Sequence, residues 1–245
     1  GVGPLDIGMV IAGSCTPDTT APAEACNIAN ALGIEAPAFD INSACSTFGA
    51  QLYTLSLMQP EALPPFVLLV VAENTTRVVD FSDRRSAVLW GDGSAAAVVS
   101  TCSPGPATVA RAILTSSPNG AGKVVIPRNG HFFQNGSAVQ KFAIKRTVQS
   151  LRGLSEAFPD VPHERFHFIG HQANGLMLDA VCRACRIAPE QHHSNVIDFG
   201  NTGAAGAASV LSAHWDRFVP GDHVAMIGVG SGLTWTSVML RSENG

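Results

Sequence analysis

The chain has 245 residues, 46% hydrophobic and 14% charged, with a formal net charge of −4 and six cysteines. That length supports a large core, as one α/β unit or as two, while the charge, without a basic block, argues against nucleic acid as a partner. No apolar run approaches the roughly 18 residues of a membrane span, six cysteines in a chain this long do not suggest a disulfide scaffold, and the opening "GVGPL" lacks a basic leader, so a reducing cytoplasm is the expected location.

In chain order, "DIGMVIAG" (Asp6 to Gly13) predicts a strand and Ala21 to Leu32 a helix. "AFDI" leads into "DINSACSTFGAQLYTLSLM", where Cys45 opens a helix; "FVLLVVA" and "SAAAVVS" predict the next strands. The stretch "STCSPGPAT" marks a boundary near residue 103, separating a unit of residues 1–103 from one of residues 104–245. Beyond it "VARAILTSS" predicts a strand, Ser137 to Ala157 a long helix, and "FHFIG" a strand. A helix from Ala173, a strand at "NVIDFG", a helix from Gly203 and the strands "HVAMIGV" and "LTWTSVML" complete the series. Alternation of this kind, with near-continuous apolar strands, predicts an α/β fold.

Three pieces recur at one offset. Asp6–Gly13 echoes Glu164–His171, Asp40 echoes Asp198, and Phe66–Glu73 echoes Val224–Ser231, each 158 positions later. A constant offset predicts a duplicated fold. The later half carries 57 residues (107–163) before its Glu164 strand and the earlier half only five before Asp6, so about 50 residues of the first half are expected to lie outside this sequence.

Cys45 follows a strand and opens a helix, where free backbone N–H groups and the helix dipole favour a thiolate. A lone cysteine is more often small apolar filler, so both readings stay open on placement alone. His171 ends the strand of "IGHQAN", and Asn201 sits in "DFGNTGAAGAAS", the echo of the Cys45 elbow. Each alone is ordinary: a hydrogen-bonded histidine, a turn asparagine. Together they place a soft nucleophile and two hydrogen-bonding groups at one end of a doubled sheet, the set thioester chemistry requires. "GVGSGLTW" predicts a strand, a tight turn and a strand; no helix follows, which disfavours a dinucleotide loop.

Other candidates are weaker. Cys182 and Cys185 form a CxxC inside a helical run, not at a helix start after a strand, which argues against a redox pair. His163, His167 and His171 are spaced by four, but "FHFIG" as a strand scatters them; His192 and His193 follow "APEQ" in a predicted surface turn. Metal ligation is therefore not expected.

The motifs "DINSACSTF", "RRSAVLWGDGSAAAVV", "GHQAN", "DFGNTGAAGAAS" and "GVGSGLTWTS" resemble, in this order and along essentially the whole chain, those of β-ketoacyl-ACP synthase III, of the thiolase superfamily. The resemblance implies a thiolase fold, two similar halves in a five-layer α-β-α-β-α sandwich, and a homodimer. It implies that an acyl thioester, on CoA or acyl carrier protein, loads Cys45. His171 and Asn201 would then stabilise the enolate left when a malonyl thioester loses CO2, in a decarboxylative Claisen condensation without a metal or further cofactor. The backbone N–H groups of Cys45 and Ser231 would form the oxyanion hole, Ser231 standing where the family usually has glycine.

Arg84 matches a family arginine beside the CoA nucleotide, Asn174 a residue near the pantetheine arm, Trp90 an aromatic residue at the acyl pocket, and Lys141 keeps a basic position near the tunnel. Leu176 in place of an arginine, Gln140 in place of an aromatic residue and Arg85 in place of a glycine are departures that point to a secondary-metabolism member. Two rivals share the fold: a non-decarboxylating acyltransferase, which has no need of Asn201, and a catalytically silent partner subunit, which would be expected to lose Cys45.

Overall fold

In the computed structural model, residues 1–84 and 86–243 are described, and all but two of their strands fall in two mixed sheets with corresponding strand orders. The first sheet runs β2-β1-β3-β4, from β1 (Met9–Gly13), β2 (Ala38–Asp40), β3 (Phe66–Glu73) and β4 (Gly93–Ser100). The second runs β5-β11-β10-β8-β9, from β5 (Ala107–Ser116), β8 (Phe166–Gly170), β9 (His192–His193), β10 (His223–Gly230) and β11 (Thr234–Ser242). In each sheet two parallel pairings are followed by an antiparallel one: β2-β1-β3-β4 corresponds to β9-β8-β10-β11. A two-stranded ribbon, β6 (Val124–Val125) and β7 (Phe133–Gln134), stands apart.

Two helices fill the space between the sheets: α2 (Thr47–Leu57) and α6 (Ala205–Ala213). Their composition explains this. α6 reads "AGAASVLSA" and is buried from Ala205 to Leu211 except at half-buried Ser209, as a helix covered on both sides must be. In α2, Gly49 allows close approach to the second sheet, since a Cβ there would lie 2.3 Å from Thr236 Oγ1. The central core joins both halves, with Ile11, Leu69, Ile169, Val210 and Met226 among its members. α1 (Glu24–Leu32) covers the outer face of the first sheet, through Ala25 and Ala29 against Val10 and Leu68. α3 (Gly136–Ala157) and α4 (Gly175–Cys185) cover the outer face of the second, through Leu151, Leu154, Leu178 and Val181. The result is the five-layer α-β-α-β-α order.

The structure corrects the predicted elements at several points. α1 begins at Glu24, not Ala21, because Asp40 reaches back to cap it, accepting from the N–H groups of Glu24 and Ala25 at 2.8 and 2.9 Å. "NVIDFG" is not a strand: α5 (Val196–Phe199) is a short helix. Its start is held by buried Gln172, whose Oε1 accepts from Ser194 Oγ, Asn195 N and Val196 N. The counterpart of β2 is β9, so His192 and His193 form an edge strand instead of a surface turn, with His193 6% exposed. The echo slips by one residue: Ile11 pairs with Leu69, while Ile169, 158 positions after Ile11, pairs with Met226, one short of the same offset. The β6–β7 ribbon has too few residues to show alternation and was not predicted. Arg85 lies outside the described residues. Among those described, no helix is long and apolar enough to cross a membrane.

Candidate active site

The first loop of the site is the elbow between β2 and α2. Ala44 takes a left-handed conformation (φ 49°), uncommon for a residue with a side chain, and local hydroxyls hold it there. Thr47 Oγ1 donates to the Ala44 carbonyl at 2.6 Å and accepts from Ser43 N at 2.9 Å; Ser46 Oγ donates to the Ser43 carbonyl at 2.6 Å. Asn42 adds two bonds, accepting from Ala44 N at 2.8 Å and donating to the Ser14 carbonyl at 2.9 Å. The run "NSACST" is thus an elbow stapled by its own polar side chains, which turns Cys45 out before the helix begins. Gly230 packs against it so closely that a Cβ there would sit 2.7 Å from the Ser43 carbonyl oxygen and 3.0 Å from Cys45 N.

Cys45 lies between two cavities. One, of about 230 Å³, is lined by His171, Asn174, Asn201, Trp90 and Ser231 as well as Cys45. The other, of about 210 Å³, is lined by Cys45, Cys15, Ala44, Trp90, Phe132 and Ser231. Trp90 borders both, its ring edge-on to Phe132 with centroids 4.5 Å apart.

His171 follows β8, and Asn201 precedes α6. His171 Nδ1 is buried without a hydrogen-bond partner among the described residues, which leaves it free for a bond to a bound molecule. Burial holds this imidazole down to about 4, so it is neutral near pH 7. Asn201 is 7% exposed, and its Oδ1 accepts from Gly203 N at 3.0 Å, leaving its amide N–H groups as its remaining donors. Its backbone is tied to the segment bearing Trp90, just before β4: Asn201 N donates to the Leu89 carbonyl at 2.7 Å, and Gly91 N donates to the Asn201 carbonyl at 3.1 Å.

The electrostatics of Cys45 differ from the helix-stabilised thiolate expected of its position. Burial, and then the nearby Glu73 carboxylate, push this thiol up to about 12, against a smaller lowering by backbone hydrogen bonding. Desolvation outweighs the helix terminus in so enclosed a site, and the resting group is a thiol.

The structure therefore gathers Cys45, His171, Asn201, Asn174, Trp90 and Ser231 around one cavity. Asn174 caps α4, its Oδ1 accepting from Leu176 N at 2.9 Å. Arg84 and Lys141 are exposed and line neither cavity, whereas Gln140 lines the larger. Leu176 is 74% exposed. Cys182 and Cys185 are free thiols inside α4, and His167 bonds to His193 Nε2 at 3.1 Å, away from His171. Sequence reasoning missed Cys15, Phe132 and Val124 as cavity residues; Val124 lies in the β6–β7 ribbon and Phe132 just before its second strand, a stretch too short to show periodicity.

Known proteins match this architecture. The family model described as 3-oxoacyl-[acyl-carrier-protein (ACP)] synthase III matches residues 39–118, and the model of its C-terminal part matches residues 162–242. A β-ketoacyl-[acyl-carrier-protein] synthase III of Agrobacterium fabrum is 32% identical over 255 residues, covering 98% of this chain and 79% of the relative. The crystal structure of 3-oxoacyl-[acyl-carrier-protein] synthase III from Aquifex aeolicus superposes with a TM-score of 0.90 at 28% identity, covering 98% of this chain and 79% of that one. The priming β-ketosynthase of the R1128 polyketide pathway superposes with a TM-score of 0.86 at 26% identity, covering 100% of this chain and 77% of that one.

Proposed function

The chain belongs to the 3-oxoacyl-[acyl-carrier-protein] synthase III family of condensing enzymes, and from that premise we propose that Cys45 carries the acyl group and that His171 and Asn201 serve the malonyl half of the reaction. In the first step Cys45 sulfur attacks an acyl thioester; the acyl–Cys45 bond forms as the old thioester breaks, and the thiol proton ends on the departing sulfur. Because the resting group is a thiol, proton loss accompanies attack instead of preceding it. The oxyanion hole is assigned to the backbone N–H groups of Cys45 and Ser231, a reading supported by both residues lining the same cavity.

In the second step a malonyl thioester loses CO2. The electron pair of the broken C–C bond becomes an enolate, whose oxygen takes hydrogen bonds from neutral His171 and from Asn201. The enolate carbon then attacks the acyl carbonyl on Cys45, and the Cys45 sulfur leaves as the β-ketoacyl product forms. The electrons for the new bond come from the decarboxylating substrate, so the reaction calls for no metal or cofactor.

The observation that carries this reading is the convergence of Cys45, His171 and Asn201 on one cavity from three loops of two sheets. The smaller cavity, which Cys45 lines together with Ala44, Thr75 and Ile126, suits the acyl chain; the larger, holding Asn174, suits the pantetheine arm of CoA or acyl carrier protein. Arg84 and Lys141, both exposed, are left for the CoA nucleotide or a carrier surface outside the cavity. A homodimer fits the open edge of the first sheet at β4, where Ser94, Ala96 and Val98 are exposed. The six free thiols suit a reducing cytoplasm, and Leu176 keeps secondary metabolism as the setting.

The deciding experiment follows intact protein mass through a panel of acyl-CoAs and then malonyl-CoA. A mass gain on Cys45, discharged by malonyl-CoA with CO2 release, is expected. Discharge only by another nucleophile would favour the acyltransferase, and no adduct from any donor would favour a silent subunit.

A further inference from the structure

Glu73 ends β3, is 4% exposed and lines neither cavity; beyond its charge on Cys45, the chemistry above makes no use of it. A buried carboxylate is costly unless its oxygens are hydrogen-bonded, and four donors converge on this one. Oε2 accepts from Ser14 Oγ at 3.2 Å, Cys15 N at 3.0 Å and Thr16 Oγ1 at 3.0 Å. Oε1 accepts from Ala204 N at 3.3 Å. The first three lie just after β1 in the first half; Ala204 opens α6 in the second. Glu73 therefore ties together the two loops that flank Cys45 and follow Asn201.

The tie reaches Asn201 through one turn. Gly203 is left-handed (φ 58°), and a Cβ there would lie 2.9 Å from Glu73 Cγ. Its N–H donates to Asn201 Oδ1 while the next N–H, of Ala204, donates to Glu73 Oε1. The turn is thus held between two side chains. With Oδ1 engaged, the amide N–H groups of Asn201 are the donors left for the cavity. On the other oxygen, Cys15 belongs to the loop that lines the smaller cavity beside Cys45.

We infer that Glu73 is a positioning residue for condensation: by holding the 203–204 turn against the end of β1 it sets the direction in which Asn201 presents its amide donors. This rests on the role proposed for Asn201. A group displaced by a fraction of an ångström loses much of its effect on a transition state, whereas loading of Cys45 makes no use of Asn201.

Glu73→Gln keeps the shape but leaves an amide NH2 facing N–H or O–H donors on one side. Glu73→Gln also removes the charge that helps hold the Cys45 thiol up, so loading of Cys45 from acyl-CoA, read by intact mass, should match wild type or quicken. Condensation of the preloaded protein with malonyl-CoA should slow by about ten- to a hundredfold, the range for a misplaced group. In the double variant with Asn201→Ala, Glu73→Gln should add less than about twofold, since residues acting through one another are not additive. Glu73→Asp is the second variant, should Glu73→Gln fail to fold: it keeps the charge but is one methylene shorter, too short to serve the donors of both loops at once, and the same split between loading and condensation is expected.

Loading and condensation falling together, or multiplicative effects in the double variant, would overturn the inference alone. Asn201→Ala condensing at the wild-type rate would overturn the role of Asn201 and the inference with it.

Discussion

Asn201 and Trp90 are bridged backbone to backbone, with Asn201 N donating to the Leu89 carbonyl and Gly91 N donating to the Asn201 carbonyl, so a group proposed for the enolate and a wall of the acyl cavity move as one unit. The bridge depends on Gly91, where a Cβ would lie 1.9 Å from the Phe199 carbonyl oxygen. Gly91→Ala must part the two segments. It should cost about 1–3 kcal/mol of stability, as forced overpacking does, read as a lowered Tm. In the folded fraction, condensation should fall more than Cys45 loading; an unchanged Tm would contradict the close approach.

Trp90 borders both cavities, and its Nε1 is buried without a partner among the described residues. Trp90→Ala should widen the smaller cavity and shift loading toward longer or branched acyl-CoAs, measured as relative mass gain across a donor panel. An unchanged donor profile would place the acyl chain elsewhere.

The Cys45 thiol, pushed up to about 12, should alkylate slowly in the ligand-free protein at neutral pH. Its rate with iodoacetamide should climb roughly tenfold per pH unit without a plateau near neutrality, since only the thiolate reacts. A plateau near pH 7 would mean that the helix terminus prevails over burial after all.

His171 is held down to about 4 by burial, below its ordinary 6.5. Neutral imidazole therefore persists well below pH 6, and the acid limb of condensation due to this group should lie near 4, not near 6.5. The same shift sets a stability trend. Between about 6.5 and 4 the unfolded chain binds a proton at this position that the folded one refuses, so stability should fall as pH drops through that window. His193, also held to about 4 by burial and neighbouring histidines, acts in the same direction. His171→Asn should shrink the fall in Tm between pH 7 and about 4.5; an equal fall in variant and wild type would assign it to other groups.

The sequence by itself determined most of the alternation of strands and helices, the duplication of the fold, and the three loops bearing Cys45, His171 and Asn201. These rest on signals that act within a few residues: apolar runs, the polar staples of "NSACST", and small residues where helices lie between sheets. Tertiary structure decided what depends on distant partners. Asp40 shortened α1 by capping it from 16 positions away, and Gln172 made a helix of "NVIDFG" from 24. Glu73 meets Ala204 across 131 positions, and no pattern along the chain announces that meeting. The protonation of Cys45 and His171 was likewise settled by burial, because the cost of desolvating a charge depends on everything that surrounds it and not on the residues beside it in the chain.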